Sequence, residues 1–206
     1  MKKLTAALAT VAAALSPVGA NSTETPDYSV ESRFDPIEVR SYPSMLLAEV
    51  TVSGSRQQAS SRAFNKLGGF IFGNNTTRAK IDMTAPVAQR PASQKIDMTA
   101  PVVQAATSDN RWVVNFMMPS EFTMDTLPVP NDSTIRIFES EPYRSVSIRF
   151  PGYANQDSLD WHKSQLLEYV KDEKIEIAGK AEYAFYDAPY VPGQYRRNEI
   201  HFRLSD

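Results

Sequence analysis

The two histidines are the residues of this 206-residue chain best suited to metal or proton chemistry, because the sequence contains no cysteine. A neutral imidazole ligates metals and exchanges protons near neutral pH. His162 falls at the margin of the apolar stripe of a predicted helix, where an iron-ligand role and half-buried packing are both consistent with its position. His201 alternates with Ile200 and Phe202 in a predicted strand, so it is expected to face solvent. Neither histidine has ligand-type neighbours at metal-site spacing, and no zinc site is predicted.

Catalytic motifs are missing from the sequence. It contains no GxSxG elbow, phosphate-binding glycine loop, HExxH pair or EF-hand loop, and we expect no partnership between a histidine and a carboxylate. The lack of cysteine removes thiolate metal sites and cysteine nucleophiles. A formal net charge of −2 lacks the basic excess of a nucleic-acid binder. The sequence therefore predicts a protein that is not an enzyme and does not bind nucleic acid.

An octapeptide, KIDMTAPV, occurs twice, as residues 80–87 and again as residues 95–102. In a strand, each copy would place its isoleucine, methionine, alanine and valine on one face, because side chains alternate between the two faces of a sheet. A turn at residues 90–93, centred between Pro91 and Ala92, would join the copies in a hairpin with both apolar stripes on the same face. Met83 and Met98 would then either fill gaps in the core or form a thioether-rich wall against a flat apolar ligand.

The elements that position these residues follow from hydrophobic periodicity. Apolar and polar residues alternate in five segments that we predict to be strands, namely 37–40, 47–52, 145–150, 181–186 and 198–204. Helical spacing predicts one helix that follows Ser55 and ends near Gly73, and a second from about Gln156 to Lys171. A strand and a glycine precede each helix, and these glycines, Gly54 and Gly152, stand 98 residues apart.

This repeated plan predicts the fold class. We expect an α+β domain with pseudo-twofold symmetry, built from a mainly antiparallel, twisted β-sheet or open barrel that carries two helices. Residues 119–134 contain three prolines and a turn signal, and they should form the loop between the halves. Neither half has many strands with which to cover its helix, so residues 28–206 are expected to form one domain.

The first twenty residues have the pattern of a secretory signal peptide. Lys2 and Lys3 precede a short apolar stretch at residues 4–15, and residues 18–20 match a small-residue cleavage site. We expect cleavage after Ala20, a polar linker at residues 21–27, and export, with the bacterial periplasm as the destination. The apolar stretch is too short to span a bilayer, so no stable membrane insertion is expected.

The repeated octapeptide closely resembles the signature KIxMTAPV of the SOUL family of haem-binding proteins. Other segments are similar to the family in the same order along nearly all of residues 28–204, namely YSVE, IEVRSY, FNKLGGFIFGNN, WVVNFMMP, LPVPND, YDAP and RRNE. On these motifs the chain is identified as a member of the family. The resemblance implies a pseudo-symmetric, twisted antiparallel barrel with two helices, and haem or a related tetrapyrrole as the bound ligand.

The resemblance also implies how haem would bind. SOUL proteins hold the macrocycle mainly by apolar contact, with basic residues near the propionates and no invariant axial histidine. The candidate haem-binding residues are Arg62, Phe64, Lys66, Leu67, Met83, Met98 and His162. Arg62 and Lys66 would meet the propionates, with a solvated helix margin as the alternative. Phe64 and Leu67 would wall the pocket, with core packing as the alternative.

These expectations lead to three hypotheses. The first is an exported, non-catalytic haem-binding protein for storage, buffering or delivery, with an apolar cleft bordered by the first helix and the repeated hairpin. The second is a binding module for another hydrophobic small molecule. The third is a haem-modifying enzyme. Arg196, Arg197 and Glu199, in the RRNE segment, resemble a family signature and are expected to form a structural ion pair with the adjoining loop.

Overall fold

The computed structural model describes residues 23–92 and 110–205. The strands of this part are β1 (Ser29–Phe34), β2 (Ile37–Tyr42), β3 (Leu46–Ser53), β4 (Val87–Pro91), β5 (Arg111–Met117), β6 (Arg136–Glu139), β7 (Tyr143–Phe150), β8 (Ile177–Phe185) and β9 (Asn198–Leu204). The α-helices are α1 (Arg56–Ile71) and α2 (Gln156–Asp172). The strands form one antiparallel sheet in the order β1-β2-β7-β9-β8-β4-β5-β3-β6. The predicted α+β class is confirmed, and the sheet is open rather than closed into a barrel.

The strand order displays the pseudo-twofold plan. The unit β3-α1-β4-β5 has the same layout as β7-α2-β8-β9, and the two units meet where β4 pairs with β8. Each unit also receives a strand from the other half of the chain, since β2 pairs with β7 and β6 pairs with β3. Gly54 and Gly152, which lead into the helices, have φ angles of 123° and 102°. Glycine adopts this left-handed region without steric cost, so the two glycines are equivalent turning points.

Local hydrogen bonds fix where both helices begin. Ser55 forms a capping box with Gln58: the Ser55 hydroxyl accepts from the Gln58 N–H, and the Gln58 side chain accepts from the Ser55 N–H. The side chain of Asn155 accepts from the N–H of Ser158 at 2.8 Å and caps α2. None of the described helices has both the length and the apolar character needed to cross a membrane.

The helices bury their apolar faces against the same face of the sheet. The buried residues of α1 pack on β3 and β5, and those of α2 pack on β7 and β9. Gln89 of β4 lies opposite Val114 and Tyr183, which belong to the α1 core and the α2 core respectively. Paired residues in an antiparallel sheet project to the same side. The two cores therefore lie side by side on one face, and the other face carries no helix in the described part of the chain.

The first copy of the repeated octapeptide does not form a strand, which contradicts the sequence prediction. Residues 80–86 are irregular, and only Val87 enters β4. Val87 pairs with Phe116 of β5 and also with Phe185 of β8. Both edges of β4 are thus occupied, so the hairpin predicted between the two copies is wrong. The second copy, with Met98, lies outside the described residues.

Side-chain burial in the first copy shows why it departs from a strand. Ile81 and Thr84 are buried, whereas Met83 is exposed. The Thr84 hydroxyl donates to the carbonyl oxygen of Met117 at 2.5 Å, and the Ala85 N–H donates to the carbonyl oxygen of Glu24. These bonds give the segment partners other than a strand ladder. The core position expected for Met83 is therefore wrong.

Candidate functional site

An apolar groove lies between α2 and the turn that joins β1 to β2, and we call it the α2 groove. Its volume is about 580 Å³. Its walls are mainly aromatic rings, aliphatic chains and prolines, from Phe34, Pro36, Ile37, Ile148, Phe150, Pro151, Trp161, His162 and Tyr169. On α2, His162, Gln165 and Tyr169 recur at intervals of three and four residues and form one helical face. That face borders the buried stripe and stays open to the groove.

Two large aromatic side chains in this groove are mostly exposed. Phe34 is 65% exposed and Trp161 is 59% exposed. Phe34 stacks on Tyr169 with a centroid separation of 5.6 Å, which joins the β1–β2 turn to α2. Clustered exposed apolar groups on a folded protein mark places that bind a ligand or a partner. The α2 groove is therefore the candidate functional site.

His162 forms part of the groove wall in a fixed orientation. Its ring lies parallel to the ring of Phe150 at 3.7 Å between centroids, and Trp161 meets it edge-on at 4.6 Å. Its Nδ1 atom is 2.7 Å from the carbonyl oxygen of Ser158, one helical turn earlier. The half-buried packing predicted for His162 is confirmed.

Charged residues are unevenly distributed among the residues that line the groove. Among the described lining residues, Arg149 is the one with a permanent positive charge. Three acidic residues, Glu168, Asp172 and Glu173, line the end formed by the last turns of α2. Strand alternation directs the Arg149 side chain to the helix-free face, together with its strand partner Glu199, so an anionic group on a bound ligand would meet only the acidic end of α2 and would be directed away from it.

The other predicted haem contacts on α1 lie in the opposite half of the molecule. Arg62 donates to the carbonyl oxygen of Ser53 at 2.7 Å, and Lys66 pairs with Asp132 at 2.6 Å. Phe64 is partly exposed and meets a core phenylalanine edge-on. Leu67 is fully buried in the α1 core, which is the packing role that the sequence left open for it. The structure does not bring these residues together with His162.

Of the two methionines predicted to contact haem, Met83 is the one that lies in the described part of the chain. Met83 lines a polar depression with Glu24, Asp82 and Ser120, away from the α2 groove. Met98 lies outside the described residues. A thioether wall made by the two repeated methionines is therefore not part of the groove.

The helix-free face of the sheet holds a cluster of buried charges centred on Glu199. Its carboxylate accepts two hydrogen bonds from Arg40, at 2.8 and 3.2 Å, one from Arg197 at 2.9 Å and one from the Tyr186 hydroxyl at 2.9 Å. His201 Nε2 lies 3.1 Å from the same carboxylate. Burial by itself raises the pKa of Glu199, but the hydrogen bonds and charges of His201 and Arg40 outweigh it and hold that pKa below its usual value. Arg197 forms an ion pair with this carboxylate at 2.8 Å, within the RRNE segment rather than with the adjoining loop.

This cluster corrects two expectations about His201. The residue is buried instead of facing solvent, because long side chains cover the helix-free face. It also has the carboxylate partner that the sequence did not predict. With Ser147 Oγ 2.7 Å from His201 Nδ1, the group has the composition of a Ser-His-Glu triad. Ser147 has no solvent exposure, and Glu199 is already bonded to two guanidinium groups, so this arrangement does not present a nucleophile to a substrate.

The sequence reasoning missed the groove aromatics Phe34 and Trp161. On a helical wheel Trp161 lies on the side of α2 away from the stripe formed by Leu159, Leu166 and Val170, so periodicity gives no signal for it. No local pattern connects Phe34 to α2, since their contact joins segments about 130 residues apart.

No group of three or more His, Cys, Asp or Glu side chains that could hold a metal ion occurs in the part of the chain that the structure describes.

Comparison with known proteins points to one family. A model of the SOUL heme-binding protein family matches residues 23–203. Heme-binding protein 1 of Mus musculus is 26% identical over 144 residues, which cover 69% of this chain and 70% of that protein.

Solved structures support the fold. The EcmrR C-terminal domain has a TM-score of 0.59 at 12% identity and covers 87% of this chain and 98% of that domain. A hydrolase from Listeria innocua has a TM-score of 0.54 at 12% identity, covering 82% of this chain and 91% of the other. At these identities the similarity shows the fold alone.

Proposed function

The chain belongs to the SOUL family of heme-binding proteins, and from this premise we propose that it is an exported, non-catalytic protein that binds haem in the α2 groove. The predicted signal peptide supports export to the bacterial periplasm. Storage, buffering or delivery of haem fits a protein that holds the macrocycle by apolar contact. The observation that carries the choice of site is the pair of exposed rings, Phe34 and Trp161, that line the groove together with His162.

The groove matches the chemistry of haem in two respects. Its aromatic and aliphatic walls suit a flat apolar macrocycle, which gains by leaving water. His162 offers an imidazole, a common protein ligand of haem iron. When bound, haem would supply an iron centre, and these side chains would hold and orient it.

A non-catalytic role is supported by the burial of the one triad-like group in the described chain. Ser147 has no exposed surface, and it lies on the face of the sheet opposite to α2. Haem in the α2 groove would not contact it. We therefore propose binding without turnover, and a loss of the haem spectrum over time in the presence of reductant and oxygen would contradict that part of the proposal.

The decisive experiment is a hemin titration of residues 21–206, followed by Soret absorption. We expect a saturable one-to-one change. Phe34→Ser should weaken the affinity about threefold to tenfold, since a single aromatic pair contributes about 0.5–1.5 kcal/mol beyond its buried area. Phe72→Ser is the matched control, because Phe72 is 62% exposed but does not line the groove.

A second pair of variants distinguishes the α2 groove from the α1 surface. Trp161→Ser should weaken hemin binding, and Phe64→Ser should leave it unchanged. The reverse pattern would place haem against α1, near Arg62 and Lys66, and would overturn the choice of groove while keeping haem as the ligand. A response like that of a non-binding control protein would overturn haem binding itself.

The acidic rim favours one alternative ligand class. Glu168, Asp172 and Glu173 would repel the propionates if haem extended toward the end of α2. A flat apolar molecule without negative charge would avoid this repulsion. Competition between hemin and neutral or cationic aromatic compounds in the same titration separates the two: displacement at lower concentrations than hemin itself needs would favour the alternative ligand.

A further inference from the structure

We propose that His162 ligates the haem iron through its Nε2 atom, and this inference rests on the proposed binding of haem in the α2 groove. The hydrogen-bond partner of Nδ1 determines which ring nitrogen carries the proton. His162 Nδ1 lies 2.7 Å from the carbonyl oxygen of Ser158, and a carbonyl oxygen only accepts hydrogen bonds. Nδ1 must therefore carry the hydrogen in the neutral ring. The lone pair is left on Nε2.

This is the arrangement that a metal-binding histidine requires. A ligating imidazole almost always donates its second N–H to a carbonyl or carboxylate, which fixes the tautomer and increases the basicity of the ligating nitrogen. Here the acceptor is backbone of the same helix, so the bond is set by the position of Ser158 one turn before His162. The Ser158 hydroxyl, at 3.4 Å from Nδ1, makes a much longer contact than the carbonyl oxygen at 2.7 Å.

Two aromatic neighbours fix the orientation of the His162 ring. The imidazole is stacked on Phe150, which is itself buried in the α2 core, and Trp161 closes its edge. A ring held on one face and at one edge loses little rotational freedom when it binds a metal. His201 has no ring nitrogen left for a metal in this way, because both of its ring nitrogens already face protein partners, Ser147 and Glu199.

A ligand in the α2 groove has access to His162. His162 lines the α2 groove together with the exposed rings of Phe34 and Trp161, so an apolar macrocycle bound in that groove would lie beside the imidazole. A single neutral nitrogen is sufficient because the porphyrin supplies the other donors. The described chain therefore needs no cluster of ligands to hold the metal.

The test uses residues 21–206 loaded with hemin and reads the iron–imidazole bond directly. Resonance Raman spectra of the ferrous complex should contain an iron–histidine stretch that disappears in His162→Ala. External imidazole should restore the visible spectrum of that variant. Hemin affinity should fall at least about tenfold, the lower end of what altering even an outer-shell partner of a metal ligand costs. Gln165→Ala, a groove residue one turn along α2, should keep the stretch.

The outcomes separate the inference from the proposed function. Saturable hemin binding with no iron–histidine stretch, or with a stretch that survives His162→Ala, would overturn ligation by His162 and leave haem binding intact. Lack of saturable binding would overturn both. An independent readout is nitrogen NMR of the ligand-free protein at a pH where His162 is neutral: we expect the hydrogen on Nδ1, and a hydrogen on Nε2 would overturn the inference.

Discussion

The buried pair formed by Arg40 and Glu199 should show strong energetic coupling. Arg40 is 1% exposed and Glu199 has no exposed surface. Removing one partner of a buried ion pair costs about 3–5 kcal/mol, because the remaining charge stays buried without compensation. Arg40→Met leaves Glu199 with Arg197, Tyr186 and His201, so we expect a cost of about 3 kcal/mol.

Glu199→Leu should be the more costly single change. It removes the only carboxylate that Arg40 and Arg197 share, and it leaves Arg40 with Glu38 alone as its acidic partner in the described chain. We expect a cost of about 5 kcal/mol. The double variant removes both buried charges and should cost no more than Glu199→Leu alone. The coupling energy should therefore be about 3 kcal/mol, at the upper end of what contacting residues show.

Urea denaturation of residues 21–206 at 25 °C measures this cycle, provided that the slope of the unfolding free energy against urea stays constant among the variants. The exposed pair Lys163–Asp160 is the control, and its coupling should be below about 1 kcal/mol. The reasoning would be refuted if the unfolding free energies lost in Arg40→Met and Glu199→Leu simply add in the double variant. The coupling would then be no larger than that of the control pair. Such a result would mean that the cluster is open to water.

Glu199, Thr84 and Leu159 each lead to a further testable effect. Because the pKa of Glu199 is lowered, its ionised form stabilises the fold at pH values above the ordinary pKa of 4.5. The unfolding free energy should therefore fall as the pH decreases from about 6 to about 3, and Glu199→Gln should flatten this dependence in denaturation curves. Thr84→Val should cost about 1–2 kcal/mol, because the carbonyl of Met117 loses a buried hydrogen-bond donor, and a thermal melt matching the parent would contradict this. Leu159→Ala should cost about 2–5 kcal/mol, because the side chain has no exposed surface in the α2 core, whereas Leu167→Ala, at a 38% exposed position on the same helix, should cost clearly less.

Periodicity was sufficient to predict most of the secondary structure. The segment 198–204 coincides with β9, and the predicted second helix differs from α2 by one residue. The short strand β6 was missed because four residues carry too little alternation to separate from a loop. The repeated octapeptide was assigned to a strand on its alternation, but bonds to distant backbone groups hold its first copy in an irregular path.

The site was only partly predictable for a related reason. His162 was found because its type and its place on α2 are both local properties. The groove beside it depends on Phe34 reaching Tyr169 across the fold, and no local pattern encodes that contact. His201 was misjudged because alternation was taken to mean solvent on the polar side. In this sheet the polar side is buried by its own charged and aromatic side chains, including Arg40 and Tyr42.

The exchange of strands between the halves determines how the chain can come apart. A fragment that ends in the loop at residues 119–134 would contain β2 without β7, and the remaining fragment would contain β6 without β3. Each fragment would expose a strand edge ready to pair with another chain. Unfolding of either half removes a neighbour from the other, so the halves should lose structure together in one cooperative transition. Two separately produced fragments should accordingly restore the sheet only by recombining with each other.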